Sequence, residues 1–203
     1  MLRTLRGPAP ARPERCGLCG EEIAPGHRHL ADTTARALVC VCTACALLFE
    51  PPAARAGRYL ALSDRCLTDP GQEMDPAAWA ALRTPVSTAF VLHDSALGRP
   101  VLCYPSPAGA TEAELDTSAW EAAFGRSRLA AALRPDVEAL LLRRTGDRIH
   151  CCLVPVDLAY ELVGRMRLRW RGFDGGSEAH AELDAFFAAL EDRARPLSTE
   201  AVA

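Results

Sequence analysis

Apolar runs separated by turn residues predict four strands in the second half of the chain, and helical spacing predicts the segments between and after them. The strands are expected at residues 86–93, 100–104, 137–144 and 148–154. The helices are expected at residues 114–124, 127–133, 156–170 and 177–193. The order of a hairpin and helices therefore occurs twice, which indicates an internal repeat.

These elements predict an α+β protein whose main domain has a four-stranded, mainly antiparallel sheet with helices on one face. Asp75 before Pro76 is typical of a helix start, so this domain is expected to span residues 75–194. Residues 51–74 are interpreted as a connector with short strands. Residues 1–13, rich in Arg and Pro, and residues 195–203 are expected to be a disordered arm and tail.

The first quarter of the chain has a different pattern, in which cysteines recur in pairs. Cys16 and Cys19 form one CxxC motif, and Cys42 and Cys45 form a second one after 22 intervening residues. Two such turns joined by a hairpin can place four thiolates around one metal ion, as in zinc ribbons and rubredoxins. Residues 14–50 are therefore predicted to be a small zinc-ribbon-like module with Cys16, Cys19, Cys42 and Cys45 as metal ligands.

Zinc is the expected ion, and iron is the alternative, because both accept four thiolates in a tetrahedron. Cys40 offers a fifth thiol close to the second pair, so it is either a neighbour of the site or a replacement for one ligand. His27 and His29 share one face of a predicted strand. They are interpreted mainly as hydrogen-bonding residues of the hairpin, although imidazole is also a possible metal ligand.

Composition narrows the classes of function. The chain has 203 residues, a net charge of −3 and 49% apolar residues, so a general nucleic-acid surface has no electrostatic support. The chain has Arg but no Lys, which excludes Schiff-base lysines and a P-loop lysine.

The longest apolar run, residues 37–49, is too short for a membrane span. A cytoplasmic protein without membrane insertion is expected, and no combination of residues predicts catalysis, which favours a non-enzymatic role.

Several longer segments resemble an actinobacterial protein family that has no assigned activity. They are the region of His27 to Leu30, Cys42 to Phe49, Trp79 to Val86, Tyr104 to Glu112, and Trp170-Arg171-Gly172 with Gly175-Gly176. Genes of that family commonly lie beside genes for nickel-iron hydrogenases and their maturation factors. The resemblance implies an accessory protein that contacts hydrogenase subunits or maturation factors, or alternatively an iron protein that exchanges electrons with the hydrogenase.

Overall fold

A computed structural model describes residues 13–51, 57–71, 74–172 and 175–198. Ten strands and six helices lie in these ranges. In chain order they are β1 (Arg28–Asp32), β2 (Ala37–Val41), α1 (Thr43–Leu47), β3 (Tyr59–Ala61), β4 (Leu67–Thr68), α2 (Pro76–Ala81), β5 (Thr88–Asp94), β6 (Arg99–Ser106), β7 (Gly109–Ala113), α3 (Thr117–Phe124), α4 (Arg128–Ala131), β8 (Glu138–Thr145), β9 (Arg148–Pro155), α5 (Val156–Arg169), α6 (Gly176–Arg193) and β10 (Arg195–Pro196).

The strands form two sheets, and the prediction of one four-stranded sheet is wrong. The larger sheet has seven strands in the order β10-β4-β9-β8-β5-β6-β7, and only the β10–β4 pair is parallel. The four predicted strands are its central members, β5, β6, β8 and β9. The pattern gave no signal for β4 or β10, which have two residues each, or for β7, whose sequence Gly-Ala-Thr-Glu-Ala is small and polar.

Helices cover both faces of the large sheet, so the prediction of helices on one face is also wrong. Phe90, Leu141 and Val154 face α5 and α6, whereas Val91, Leu140 and Leu153 face α2, α3 and α4. The physical reason lies in β8, where residues 139–142 are all fully buried. A strand with an uninterrupted apolar run needs a cover on each side. The architecture is α+β with three layers.

The second sheet has three strands in the order β2-β1-β3, and it is attached to the main domain. Asp32 ends β1 and accepts hydrogen bonds from the backbone N–H groups of Thr34 and Ala35, which closes the β1–β2 turn. Arg36 in this turn contacts Asp94 Oδ2 at 2.5 Å and Glu112 Oε1 at 3.0 Å in the large sheet.

The expected separate N-terminal ribbon is therefore not observed, because the cysteine-bearing hairpin is part of the domain. Leu38 and Leu62 pack against the core that α5 and α6 cover, and His29 contacts Asp157 at the start of α5. The sequence pattern could not show the contact of His29 with Asp157, because these residues are 128 positions apart.

Both predicted disordered segments lie largely outside the described residues, which include only Pro13 of the arm and omit residues 199–203 of the tail. At the start of the tail, Arg195–Pro196 forms β10, and Leu197 is buried. Within the described ranges, no helix is both long enough and apolar enough to cross a membrane.

One ion pair fixes the connector to the main domain. Glu138 is fully buried at the start of β8, and its carboxylate accepts hydrogen bonds from Arg65 at 2.9 and 2.7 Å. The backbone N–H of Arg134 donates a third hydrogen bond to it at 3.0 Å. The buried charge is thus fully compensated, but only while Arg65 is present.

We predict that Arg65→Met lowers the free energy of unfolding by about 3–5 kcal/mol, because it leaves a buried carboxylate without its cation. Arg28→Met is the matched control. Arg28 pairs with Glu50 at 2.6 Å where both side chains are about half exposed, so its loss should cost less than about 1 kcal/mol. Urea unfolding measures both values, and equal values for the two variants would contradict this account.

Candidate metal centre

The first pair of cysteines lies in a compact turn before β1. The backbone N–H of Gly20 donates to the carbonyl oxygen of Cys16 at 2.9 Å, and the N–H of Cys16 donates to the carbonyl oxygen of Glu21 at 2.7 Å. Gly20 has a φ of 77°, a conformation that glycine adopts without steric cost. The loop between the two cysteines therefore folds back, so that both side chains can point to one place.

Gly17 is needed for a different reason, which is close approach. A Cβ atom at this position would lie 2.6 Å from Val39 Cγ1 in β2. Gly17 also donates its backbone N–H to the carbonyl oxygen of Cys40 at 2.8 Å. This contact holds the first cysteine turn directly against the strand that leads to the second one.

The second pair lies where β2 becomes α1. Cys42 is the residue that caps α1, and its Sγ accepts a hydrogen bond from the backbone N–H of Cys45 at 3.4 Å. The spacing of three residues places Cys45 in the first turn of the helix. One short turn thus presents both thiols from the end of a strand.

The two turns bring all four predicted ligands together. Each of Cys16, Cys19, Cys42 and Cys45 has its sulfur within 4.8 Å of the other three, and the Cys19 and Cys42 sulfurs are 3.8 Å apart. A tetrahedron with metal–sulfur bonds of about 2.3 Å has edges of about 3.8 Å. The four thiols can therefore hold one metal ion, and this geometry fits zinc and iron alike.

Electrostatics in this cluster favour one thiolate in the absence of an ion. Burial opposes ionisation of Cys16, but the backbone N–H groups of Cys19, Cys42 and Leu18 point at its sulfur and lower its pKa to about 6. For Cys45 the neighbouring thiols of Cys42 and Cys19 raise the pKa to about 12. Four negative sulfurs can gather only around a cation.

Cys40, His27 and His29 lie together beside the four-cysteine cluster. The ligand atoms of these three side chains are within 4.8 Å of one another, and none of the three belongs to the set of four. Cys40 is thus a neighbour of the site, as one of the two interpretations held. The sequence did not predict Asp157, which contacts His29 from a helix 128 residues away.

Three of the remaining cysteines, Cys103, Cys151 and Cys152, lie in strands of the large sheet. Cys103 and Cys152 pack in the core under α5 and α6, where burial raises the pKa of each thiol to about 12. Cys151 points to the other sheet face. These thiols stay protonated at neutral pH.

A sequence model of a family of unknown function, DUF5947, matches residues 15–194. The chain belongs to that family. The match includes the four cysteines and nearly all of the main domain. The family model therefore covers both the four-cysteine cluster and most of the large sheet. No curated protein and no solved structure matches the chain. Membership of DUF5947 brings no activity with it.

We predict that the affinity of the four cysteines for zinc rises with pH and falls most steeply below about pH 6. Above that value Cys16 is already a thiolate, whereas Cys45 must lose a proton to the solvent when the ion binds. Below it, Cys16 binds a proton as well, so one more proton competes with the ion. Competition with a chromophoric zinc chelator measures this profile.

Cys103→Ala, which removes a thiol outside the cluster, should leave that profile unchanged. An affinity that does not vary with pH would mean that the ion does not displace thiol protons.

Proposed function

We propose that this chain is a metal-binding accessory protein that holds zinc at Cys16, Cys19, Cys42 and Cys45. In this proposal it supports the assembly or maturation of a nickel-iron hydrogenase through contacts with hydrogenase subunits or maturation factors. The observation that carries the metal-binding role is the group of four sulfurs within 4.8 Å of one another. The choice of partner rests on the resemblance of the sequence segments quoted above.

The role of zinc in this proposal is structural. The first cysteine turn has few apolar contacts of its own, with Cys16 and Ile23 as its buried residues. A segment of this size needs a cross-link to keep one conformation. An ion bound to all four sulfurs would fix this turn to the start of α1 and keep the surface around it in a defined shape.

A candidate contact surface lies next to the metal cluster. Leu47 and Leu48 follow Cys45 by two and three residues, and they are 51% and 69% exposed. Together they form a small exposed apolar patch, and apolar patches rimmed by polar residues can serve as protein contact sites. We assign the protein contact to this pair, because the cysteine cluster controls the orientation of the helix that carries them.

The partner test uses the intact, zinc-loaded chain immobilised on a resin, with purified hydrogenase large subunit and maturation factors as probes. We expect capture of one of these proteins by the wild type and at least about a tenfold weaker affinity for Leu47→Asp/Leu48→Asp. Burying two leucines contributes more than about 1.4 kcal/mol, which corresponds to one factor of ten.

Leu97→Asp is the matched control. Leu97 is also an exposed leucine, at 41%, but it lies in the β5–β6 turn of the main domain. Capture that is lost equally in Leu97→Asp would contradict the proposed contact surface. A wild type that captures none of the probes would contradict the proposed partner. Neither result would affect the metal cluster itself.

The alternative function is electron transfer with iron in the same four thiolates. Cys19 is exposed, and Cys42 and Cys45 are partly exposed, so one side of the cluster is near the solvent. A partner protein could approach the ion closely there. An iron centre would give a coloured protein that is reduced and oxidised by one electron, whereas a zinc centre would not.

A further inference from the structure

Two histidines and a cysteine meet on the β1–β2 hairpin. His29 and Cys40 are directly opposite each other in the antiparallel register, and the ring of His27 lies 4.8 Å from the ring of His29. The ligand atoms of all three side chains are within 4.8 Å of one another. The backbone therefore brings two imidazoles and a thiol to one point without using any of the four clustered cysteines.

Each imidazole has one nitrogen fixed by a hydrogen bond. His27 Nδ1 is 3.1 Å from the carbonyl oxygen of Ala24, and His29 Nδ1 is 3.1 Å from Asp157 Oδ2. In the neutral ring, an acceptor at Nδ1 favours the tautomer whose Nε2 has a lone pair available for a metal ion. Metal-binding histidines have the same arrangement, with a carbonyl or carboxylate behind the ligating ring.

His27 provides an independent sign that a ligand is missing. Its side chain is only 11% exposed, and its Nε2 is buried with no hydrogen-bond partner among the residues that the structure describes. A buried polar atom without a partner costs about 1–3 kcal/mol. A metal ion bound to this nitrogen would remove that cost.

We propose that His27, His29 and Cys40 form a second metal site. Two imidazoles and one thiolate are suitable ligands for a divalent metal ion of intermediate softness. Zn²⁺ is the ion that we expect first. Metal–nitrogen bonds of about 2.0–2.1 Å and a metal–sulfur bond of about 2.3 Å require ligand separations of about 3.3–3.6 Å. The ligand atoms lie within 4.8 Å of one another, so binding of the ion would draw them closer together.

The site has three protein ligands, which distinguishes it from the four-cysteine cluster. Closed structural zinc sites have four protein ligands, whereas three leave a position for water or a small exogenous ligand. His29 and Cys40 are partly exposed, so an ion and a small ligand can approach from their side, whereas the Nε2 of His27 is buried. The second site is thus a candidate for binding an anion or thiol through the metal, a property that the accessory role does not require.

The two sites are close but separate. Cys40 and Cys42 are two residues apart at the end of β2, a distance of about 7 Å along an extended strand. The second site also reaches the main domain, because Asp157 belongs to the first turn of α5. An ion there would stabilise the attachment of the hairpin to that helix.

The test is zinc stoichiometry after equilibrium dialysis of the reduced full-length chain, measured by elemental analysis. We expect two zinc ions per chain for the wild type and one for His29→Ala and for Cys40→Ser. His180→Ala is the matched control, since His180 lies on α6 with its Nδ1 near the Gly176 carbonyl oxygen, and it should keep two. Cys19→Ser/Cys45→Ser should lose the other ion and keep the one at His27, His29 and Cys40.

Asp157→Asn separates a positioning role from a ligand role. This variant should keep two zinc ions at saturating zinc, but its affinity for the second ion should be about 10- to 100-fold lower.

Cadmium NMR of the wild type avoids any effect of substitution on folding. We expect two resonances, one from a four-sulfur environment and one shifted towards nitrogen ligation.

A wild type that binds one ion, or that gives one cadmium resonance, would overturn the second site. If that single ion is lost both in Cys40→Ser and in Cys19→Ser/Cys45→Ser, Cys40 belongs to the first cluster instead. If it is lost in Cys19→Ser/Cys45→Ser and kept in Cys40→Ser, the four-cysteine centre stands alone. The failure of the second site is therefore distinguishable from the failure of the metal-binding role.

Discussion

The mutual repulsion of four sulfurs in one place is the constraint on which the N-terminal part of the chain depends. The sulfurs of Cys16, Cys19, Cys42 and Cys45 lie within 4.8 Å of one another, and the pKa of Cys16 is lowered to about 6 whereas that of Cys45 is raised to about 12. Backbone N–H groups around Cys16 reduce the cost of that first negative charge. A metal ion would compensate the charge of the other three thiolates, and its binding would then be coupled to the folding of the two cysteine turns.

The same hairpin is held to the large sheet and to α5 by a few polar contacts, together with the packing of Leu38 against the core. Arg36 lies between Asp94 and Glu112, and His29 lies against Asp157. These contacts place both groups of potential ligands at a junction with the main domain. An ion bound by the cysteines would therefore be linked to α5 and to the sheet edge through a few polar side chains.

The sequence predicted what depends on local spacing and missed what depends on distant contacts. The CxxC pairs identified the four clustered cysteines, and the apolar runs located β8, β9 and the helices that follow them. The number of strands in the large sheet was underestimated, because β4, β7 and β10 are too short or too polar to give a periodic signal. The attachment of the hairpin was also missed. It depends on Arg36, Asp94 and Asp157, and single charged residues have no pattern that shows which distant residue they contact.

The most direct measurement is the metal content and visible absorption spectrum of the full-length chain purified under reducing, low-oxygen conditions, beside Cys19→Ser/Cys45→Ser purified identically. The account predicts a colourless wild type that contains zinc and a variant that lacks the ion bound by the four cysteines. A red protein containing iron would keep the site and change its function to electron transfer. A wild type without metal, or a variant with the same metal content as the wild type, would contradict the central claim that these four thiols bind an ion.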